Sequence, residues 1–162
     1  MTTARLLKMA DQLRNKWLLR LFYWMVRLGM GATFVISGLR KLPGVKFTTL
    51  PTHHPVGAFF QAMHDTGLYW NTIGYVQIVL GLLLFVNRTV AISGLLMMPI
   101  TVNIFLVSIS LNMRGTPVIT TCMLLGNLFL MCWHYENYLS LLKAPNTHVV
   151  QLRRSEKQFP EI

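Results

Sequence analysis

Four polar side chains in the middle of long apolar runs are the residues of this sequence with the clearest chemical potential. They are Arg27, Gln77, Asn103 and Asn127. A charged side chain at the centre of a bilayer costs about 2.5–3.5 kcal/mol on insertion scales, so Arg27 requires compensating partners. The other three are amides, which can hydrogen-bond a guanidinium without neutralising it. We therefore predict one internal polar layer around Arg27.

Arg27 has two interpretations that the sequence leaves open. In the functional one, its charge faces a cavity and binds an anionic group: a phospholipid head group, a quinone oxygen or a carboxylate of a partner subunit. In the structural one, the side chain extends to the cytoplasmic interface, or Gln77 and backbone carbonyls satisfy it completely.

A second set of polar side chains lies between the first two apolar runs. It consists of Arg40, Lys41, His53, His54, His64 and Asp65. The spacing of the histidines matches no common zinc site. We predict that all six residues are solvated at the membrane interface and that no metal binds there.

No group of residues in the sequence matches a catalytic motif. A phosphate loop, a nucleophile motif and a carboxylate pair are all missing. Cys122 and Cys132 are ten residues apart in one apolar run, about 15 Å along a helix and too far for a disulfide. We therefore predict no catalytic residue and no obligatory cofactor.

The stretch from Thr66 to Met113 determines the protein class. It contains uncharged runs of 22 and 25 residues that are separated by Arg88 alone. A bilayer core about 30 Å thick needs roughly 20 apolar residues in a helix. The stretch therefore predicts a transmembrane hairpin with a tight turn at Arg88.

Composition agrees with a membrane protein. Of 162 residues, 53% are hydrophobic and only 12% are charged, against about 25% charged in soluble domains. The net charge of +10 comes from residues that cluster outside the apolar runs. Such residues meet lipid head groups, so we predict a lipid partner and no nucleic acid.

The hydrophobic pattern predicts an all-α integral membrane four-helix bundle with a short interfacial helix between the first two crossings. The predicted crossings are 17–39, 68–86, 89–111 and 117 to about 138, within a transmembrane domain 17–139. Residues 1–16 have the spacing of a basic amphipathic helix, although a frayed basic tail is the alternative. Residues 140–162 are predicted to be a polar cytoplasmic tail.

Two further patterns concern how these elements pack. Apolar residues at helical spacing after Pro55 predict the short one-sided helix. Glycines recur at a spacing of seven in the first and second crossings, as Gly31 and Gly38, then Gly74 and Gly81. Small residues on one helical face predict close approach of helix backbones in a membrane.

The distribution of lysine and arginine predicts the orientation. With four crossings, ten of these residues lie on the side of the termini and four on the opposite side. The positive-inside rule then places both termini in the cytoplasm, with the protein in the inner membrane.

Several short motifs together resemble the DoxX and DoxX-like membrane proteins. They are RLG at 27–29, SGLRKL at 37–42 followed by a Pro/Phe-rich loop, QIVLGLLL at 77–84, and then Arg88 and Asn103. The resemblance covers about residues 21–138. It implies a compact four-helix membrane protein, with relatives linked to thiosulfate–quinone oxidation or to redox and detoxification partners. Where the family commonly has a glutamate, this chain has Gln77, which cannot neutralise Arg27 or carry a proton.

The sequence and this resemblance together lead to two functional hypotheses. The preferred one is a non-catalytic accessory or anchoring subunit of a larger membrane complex, respiratory or otherwise redox-linked. The alternative is a quinone-linked oxidoreductase component that binds quinone near Arg27 and Gln77. A small-solute carrier ranks last, because no inverted repeat is visible.

Overall fold

The computed structural model describes residues 16–142, in which all regular elements are helices. They are α1 (Trp17–Leu39), α2 (Pro55–Asp65), α3 (Leu68–Leu83), α4 (Val90–Ser110), α5 (Thr116–Trp133) and α6 (Tyr135–Leu142). The predicted amphipathic segment 1–16 lies outside the described residues except for Lys16. Most of the predicted tail 140–162 does too, but residues 140–142 continue α6.

Four of these helices form a bundle. α1 packs most extensively on α3, and α4 on α5, while contacts of α1 with α5 and of α3 with α4 join the two pairs. α1, α4 and α5 are long and apolar enough to cross a membrane. α3 is apolar but has only 16 residues, which is about 24 Å of helix. The predicted all-α membrane bundle is confirmed.

Large apolar side chains on the outside of the bundle explain why it requires lipid. Leu68 is 83% exposed and Val118 is 69% exposed, and many other leucines, valines and isoleucines of the bundle are also exposed. A soluble monomer rarely exposes so large a contiguous apolar surface. Inside, Phe34, Leu84 and Met97 are completely buried.

The second predicted crossing ends earlier than its apolar run. The N–H groups of Phe85 and Val86 bond to carbonyls three residues back, at 3.0 and 3.2 Å, which is the tightened geometry common at a helix end. The hydroxyl of Thr89 then donates to the Leu83 carbonyl at 2.6 Å. This turn closes α3 at Leu83, so the predicted boundary at Val86 was wrong.

The fourth predicted crossing is also shorter than expected. α5 ends at Trp133, and the N–H of His134 bonds to the carbonyls of Leu130 and Met131. The chain then starts the separate helix α6, which the Tyr138 hydroxyl ties back by donating to the Ala91 carbonyl at 2.7 Å. The predicted crossing to about Tyr138 was therefore wrong. The first and third crossings agree with α1 and α4 to within one residue.

Two glycine pairs bring α1 and α3 into backbone contact. A Cβ on Gly38 would lie 2.6 Å from the carbonyl oxygen of Gly74, and a Cβ on Gly81 would lie 2.8 Å from that of Gly31. Any larger residue at these positions would separate the helices. The predicted glycine-mediated packing is confirmed.

α2 covers one end of the bundle. Pro55 occupies its first turn, and Nδ1 of His54 accepts a bond of 3.3 Å from the N–H of Val56, as expected for a helix start. The Phe60 ring packs 4.3 Å from that of Phe47 and 6.0 Å from that of Trp70. This aromatic cluster closes the end of the bundle at which α1 finishes and α3 begins.

Candidate ligand-binding site

Arg27 lies at the end of the bundle opposite α2. Its Nε donates to the Leu84 carbonyl at 2.5 Å and its Nη1 to Oδ1 of Asn87 at 2.6 Å. The guanidinium also sits 4.6 Å from the centre of the Trp24 ring, within range for a cation–π contact. Arg27 is 2% exposed, and its Nη2 finds no partner in the described chain.

The predicted polar layer around Arg27 does not form. Arg27 hydrogen-bonds neither Gln77 nor Asn103 nor Asn127 in the described structure. Side chains on a helix lean toward its N-terminus, so Arg27 extends back toward Tyr23 and the turn after α3. The described structure does not bring together the two residues of the predicted quinone site, because Arg27 and Gln77 lie in different places along the α1–α3 interface.

Asn127 instead joins α5 to α4. It is completely buried. With its amide oriented to satisfy all three partners, it donates to the Gly94 carbonyl at 3.1 Å and accepts from the Met98 N–H at 3.1 Å and from the Thr101 hydroxyl at 2.9 Å. These contacts flank Pro99, which has no N–H for the helix ladder. Asn127 thus has a structural role.

Gln77 and Asn103 line a cavity near the α2 end of the bundle. Its volume is about 320 Å³, and residues of α1 to α4 and the loop before α2 form most of its wall. Gln77 is completely buried, whereas Asn103 is exposed at the edge. Ligand pockets typically measure about 300–1,000 Å³ and are mostly apolar with a few polar groups. This cavity meets that description, because most of its lining residues are apolar.

Lys41 supplies the positive charge of this cavity. It is 5% exposed, and its Nζ donates to the carbonyl and the hydroxyl of Ser37 at 3.0 and 2.8 Å. The ammonium lies 4.9 Å from the centre of the Phe47 ring and 5.3 Å from that of Trp70. Burial lowers the pKa of Lys41 from 10.5 to about 8. It therefore remains largely charged at neutral pH while being close to titration.

Two N–H groups beside Lys41 are buried without a partner in the described chain. They are Nε1 of Trp70 and Nε2 of Gln77, on residues that are 3% and 0% exposed. The Gln77 amide oxygen already faces the Ser37 hydroxyl at 3.5 Å. An unsatisfied buried donor costs about 1–3 kcal/mol. Because this cavity wall contains two such donors and an ammonium group, it is suited to a ligand with acceptor oxygens.

Lys41 thus departs from its predicted place at the interface. Arg40, His53 and His54 are exposed, but Lys41 turns inward. The cause is the contact between Gly38 and Gly74, since a Cβ on Gly74 would lie 2.9 Å from the Cβ of Lys41. The missing side chain of Gly74 leaves room for Lys41 on the surface of α3.

We did not predict that Trp70 and Lys41 share a site with Gln77, although their spacing from the glycines indicates it. Lys41 follows Gly38 by three residues, and Trp70 precedes Gly74 by four. Residues three or four apart share a helical face. Both side chains therefore belong to the glycine faces along which α1 and α3 meet, as does Gln77.

Comparisons with known proteins identify no relative of this chain. No family model matches the chain, and neither a curated protein nor a solved structure matches it.

Proposed function

We propose that this protein is a DoxX-like, non-catalytic accessory subunit of a larger membrane assembly, and that it holds a lipophilic ligand in the cavity beside Lys41. The observation that carries the ligand-binding part of the proposal is the cavity itself. It combines a buried ammonium and two unpartnered N–H donors with a largely apolar wall, inside a bundle whose outer surface is also apolar.

The shape of the cavity supports access from the lipid phase. Its exposed lining residues include Tyr69 on α3 and Pro99 and Asn103 on α4. The opening therefore lies on the side of the bundle, between α3 and α4. A membrane-dissolved molecule would reach the cavity by this opening without crossing water.

The proposed location is the inner membrane with both termini in the cytoplasm, which places the cavity in the outer leaflet. The excess of basic residues on the side of the termini supports this orientation. Fusions of a cytoplasmic reporter and of a periplasmic reporter to the C-terminus distinguish the two orientations. Activity of the periplasmic reporter alone would contradict the proposal.

Native purification tests both parts of the proposal. The tagged protein is extracted in a mild detergent, co-purifying chains are identified by mass spectrometry, and lipophilic molecules are extracted from the same sample. We expect a stable set of partner chains and one enriched small molecule. The variant Asn103→Trp, at the mouth of the cavity, should lose the small molecule and keep the partners.

Leu106→Trp is the matched control. Leu106 lies on the same helix, is 55% exposed and does not line the cavity. A sample in which both variants retain the small molecule would count against the cavity. A sample without any reproducible partner chain would count against the accessory role.

A quinone-linked oxidoreductase component remains the second candidate, with the quinone now beside Gln77 and Trp70 rather than Arg27. The two unpartnered N–H groups support it, because the carbonyl oxygens of a quinone accept hydrogen bonds. Enrichment of a quinone in the extract, and its loss on Gln77→Leu, would favour this candidate.

A further inference from the structure

We infer that the cavity binds a single-chain amphiphile with a carboxylate head group, whose head lies at Lys41, Trp70 and Gln77 and whose chain lies between α2 and α4. This inference rests on the ligand-binding role proposed above and adds the chemical class of the ligand.

The charge of Lys41 is the first argument. The carboxylates of the described chain belong to Asp65 and Glu136. Asp65 accepts from Gln61 at 2.8 Å and faces His64 at 3.7 Å, while Glu136 lies on α6 at the opposite end of the bundle. Neither forms an ion pair with Lys41. A buried cation without a counter-ion favours an anionic ligand.

The number of donors is the second argument. Lys41 has three N–H groups, of which Ser37 accepts two. The third N–H of Lys41 remains for the ligand, and Nε1 of Trp70 and Nε2 of Gln77 are two further buried donors in the same wall that have no partner in the described chain. A carboxylate offers about four lone-pair sites and a full negative charge, whereas one quinone carbonyl offers two sites and no charge.

The apolar part of the cavity is the third argument. Its volume of about 320 Å³ lies at the lower end of the range of about 300–1,000 Å³ that is typical of small-molecule sites. This space fits one hydrocarbon chain or ring system, so the second acyl chain of a phospholipid would have to lie outside it. The wall away from Lys41 is formed by apolar side chains, among them Phe59, Met63, Ile100, Ile104 and Val107.

The titratable groups near the site set the expected pH dependence. Lys41 and Tyr69 are the titratable residues that line the cavity, while Lys46 and His64 line a small neighbouring pocket. Because the pKa of Lys41 is about 8 in the empty site, the ammonium is lost as the pH rises above that value. Affinity for a carboxylate should therefore fall up to tenfold per pH unit above 8. Arg40 and Arg114 are both exposed near this end of the bundle.

Binding of radiolabelled dodecanoate to the protein in lipid nanodiscs tests the inference, with empty nanodiscs subtracted to remove partitioning into lipid. We expect saturable binding to the wild type and at least tenfold weaker competition by dodecanol, which has the same chain without the charge. Lys41→Met should weaken dodecanoate binding at least tenfold, and Lys46→Met, an exposed charge loss in the neighbouring loop, should leave it unchanged.

Gln77→Glu is the second variant, because it is close in size and keeps Lys41 in place. The new carboxylate would occupy the donors of Lys41 and repel the ligand, so we expect loss of dodecanoate binding with an unchanged elution volume. Lys41→Arg, which retains the charge, should bind more tightly than Lys41→Met. Equal dodecanoate affinity of wild type, Lys41→Met and Gln77→Glu would overturn the inference.

Decylubiquinone distinguishes this inference from the function on which it rests. Saturable quinone binding that Asn103→Trp abolishes, without any dodecanoate binding, would overturn the carboxylate and preserve the ligand-binding cavity. Absence of saturable binding for both probes would overturn the carboxylate and the ligand-binding cavity together.

Discussion

Oδ1 of Asn87 accepts a hydrogen bond of 2.6 Å from Nη1 of Arg27, and this bond ties α1 to the turn between α3 and α4. Arg27 also bonds the Leu84 carbonyl, so its guanidinium replaces contacts that the end of α3 would otherwise make with water. Arg27 thus stabilises this turn and holds it against α1.

Substitution of Asn87 tests that role. Asn87→Ala leaves the buried guanidinium with one partner fewer, and we expect a loss of about 1–3 kcal/mol of stability. Asn87→Asp keeps the geometry and adds a counter-charge, so its thermal midpoint in detergent should equal or exceed that of the wild type. Asn71→Ala, in the first turn of α3 and so at the opposite end of that helix, serves as the control and should change little. A lower midpoint for Asn87→Asp than for Asn87→Ala would contradict the pairing.

The glycine contacts between α1 and α3 give a second prediction. Gly38→Ala forces a Cβ to within 2.6 Å of a backbone oxygen, and overpacking of this kind costs about 1–3 kcal/mol. Gly29→Ala is the matched control on the same helix, because a Cβ there meets nothing within 4 Å. We expect a clear drop in the thermal midpoint for the first variant and none for the second, measured by the fraction of monodisperse protein after heating. Equal midpoints would mean that the helices are not in backbone contact.

Lys41 gives a prediction about pH. Its pKa of about 8 lies below the ordinary value of 10.5, so between these values the unfolded state binds more protons than the folded state. Stability of the ligand-free protein should therefore rise with pH from about 8 to 10.5. One pKa unit corresponds to about 1.4 kcal/mol, so the gain can reach about 3 kcal/mol.

Lys41→Met isolates this contribution from that of all other titrating groups. We expect the variant to be more stable than the wild type at pH 7, because it removes a buried charge, and the difference in thermal midpoint to narrow by pH 10. A difference that stays constant with pH would contradict a shifted pKa for Lys41. A stability cost of this kind is what the proposed binding site would impose on the fold.

Replacement by leucine should lower the stability of the protein at Asn127 but not at Asn103. Asn127 is buried and bonds three groups of α4, so Asn127→Leu should cost about 1–2 kcal/mol. Asn103 is exposed at the cavity edge, so Asn103→Leu should leave the thermal midpoint unchanged. A destabilised Asn103→Leu together with a neutral Asn127→Leu would reverse the assigned roles.

The sequence predicted the class of fold because lipid imposes simple requirements. Long uncharged runs and glycines at a spacing of seven are enough to predict helices in close contact, and α1 and α4 end close to where these patterns end. The ends of α3 and α5 were missed, because apolarity continues through the turns at Leu84 and His134. There, local hydrogen bonds by Thr89 and by the N–H of His134 terminate the helices.

The candidate site was predicted only in part, and the reason is the register of two helices. Facing residues on two antiparallel helices have residue numbers with a constant sum. For Gly31 with Gly81 and for Gly38 with Gly74, this sum is 112. The same rule places Gln77 opposite residue 35 of α1. Residue 35 lies eight residues beyond Arg27, which corresponds to about 12 Å along the helix. The rule also places Lys41 beside Trp70. From the sequence, we grouped the polar residues by their depth within each apolar run. Which of them are in contact depends on how the helices pair, and this pairing is known only from the structure.

α3 leaves one side of the bundle shorter than the other three. Its 16 residues cover about 24 Å, roughly 6 Å less than the hydrocarbon thickness of an average bilayer. Lipids next to α3 must shorten their chains or tilt to match it, at a cost of fractions of a kcal/mol per Å of mismatch. We therefore expect the bilayer to be thinned beside α3 and the protein to partition into thin membranes in preference to thick ones.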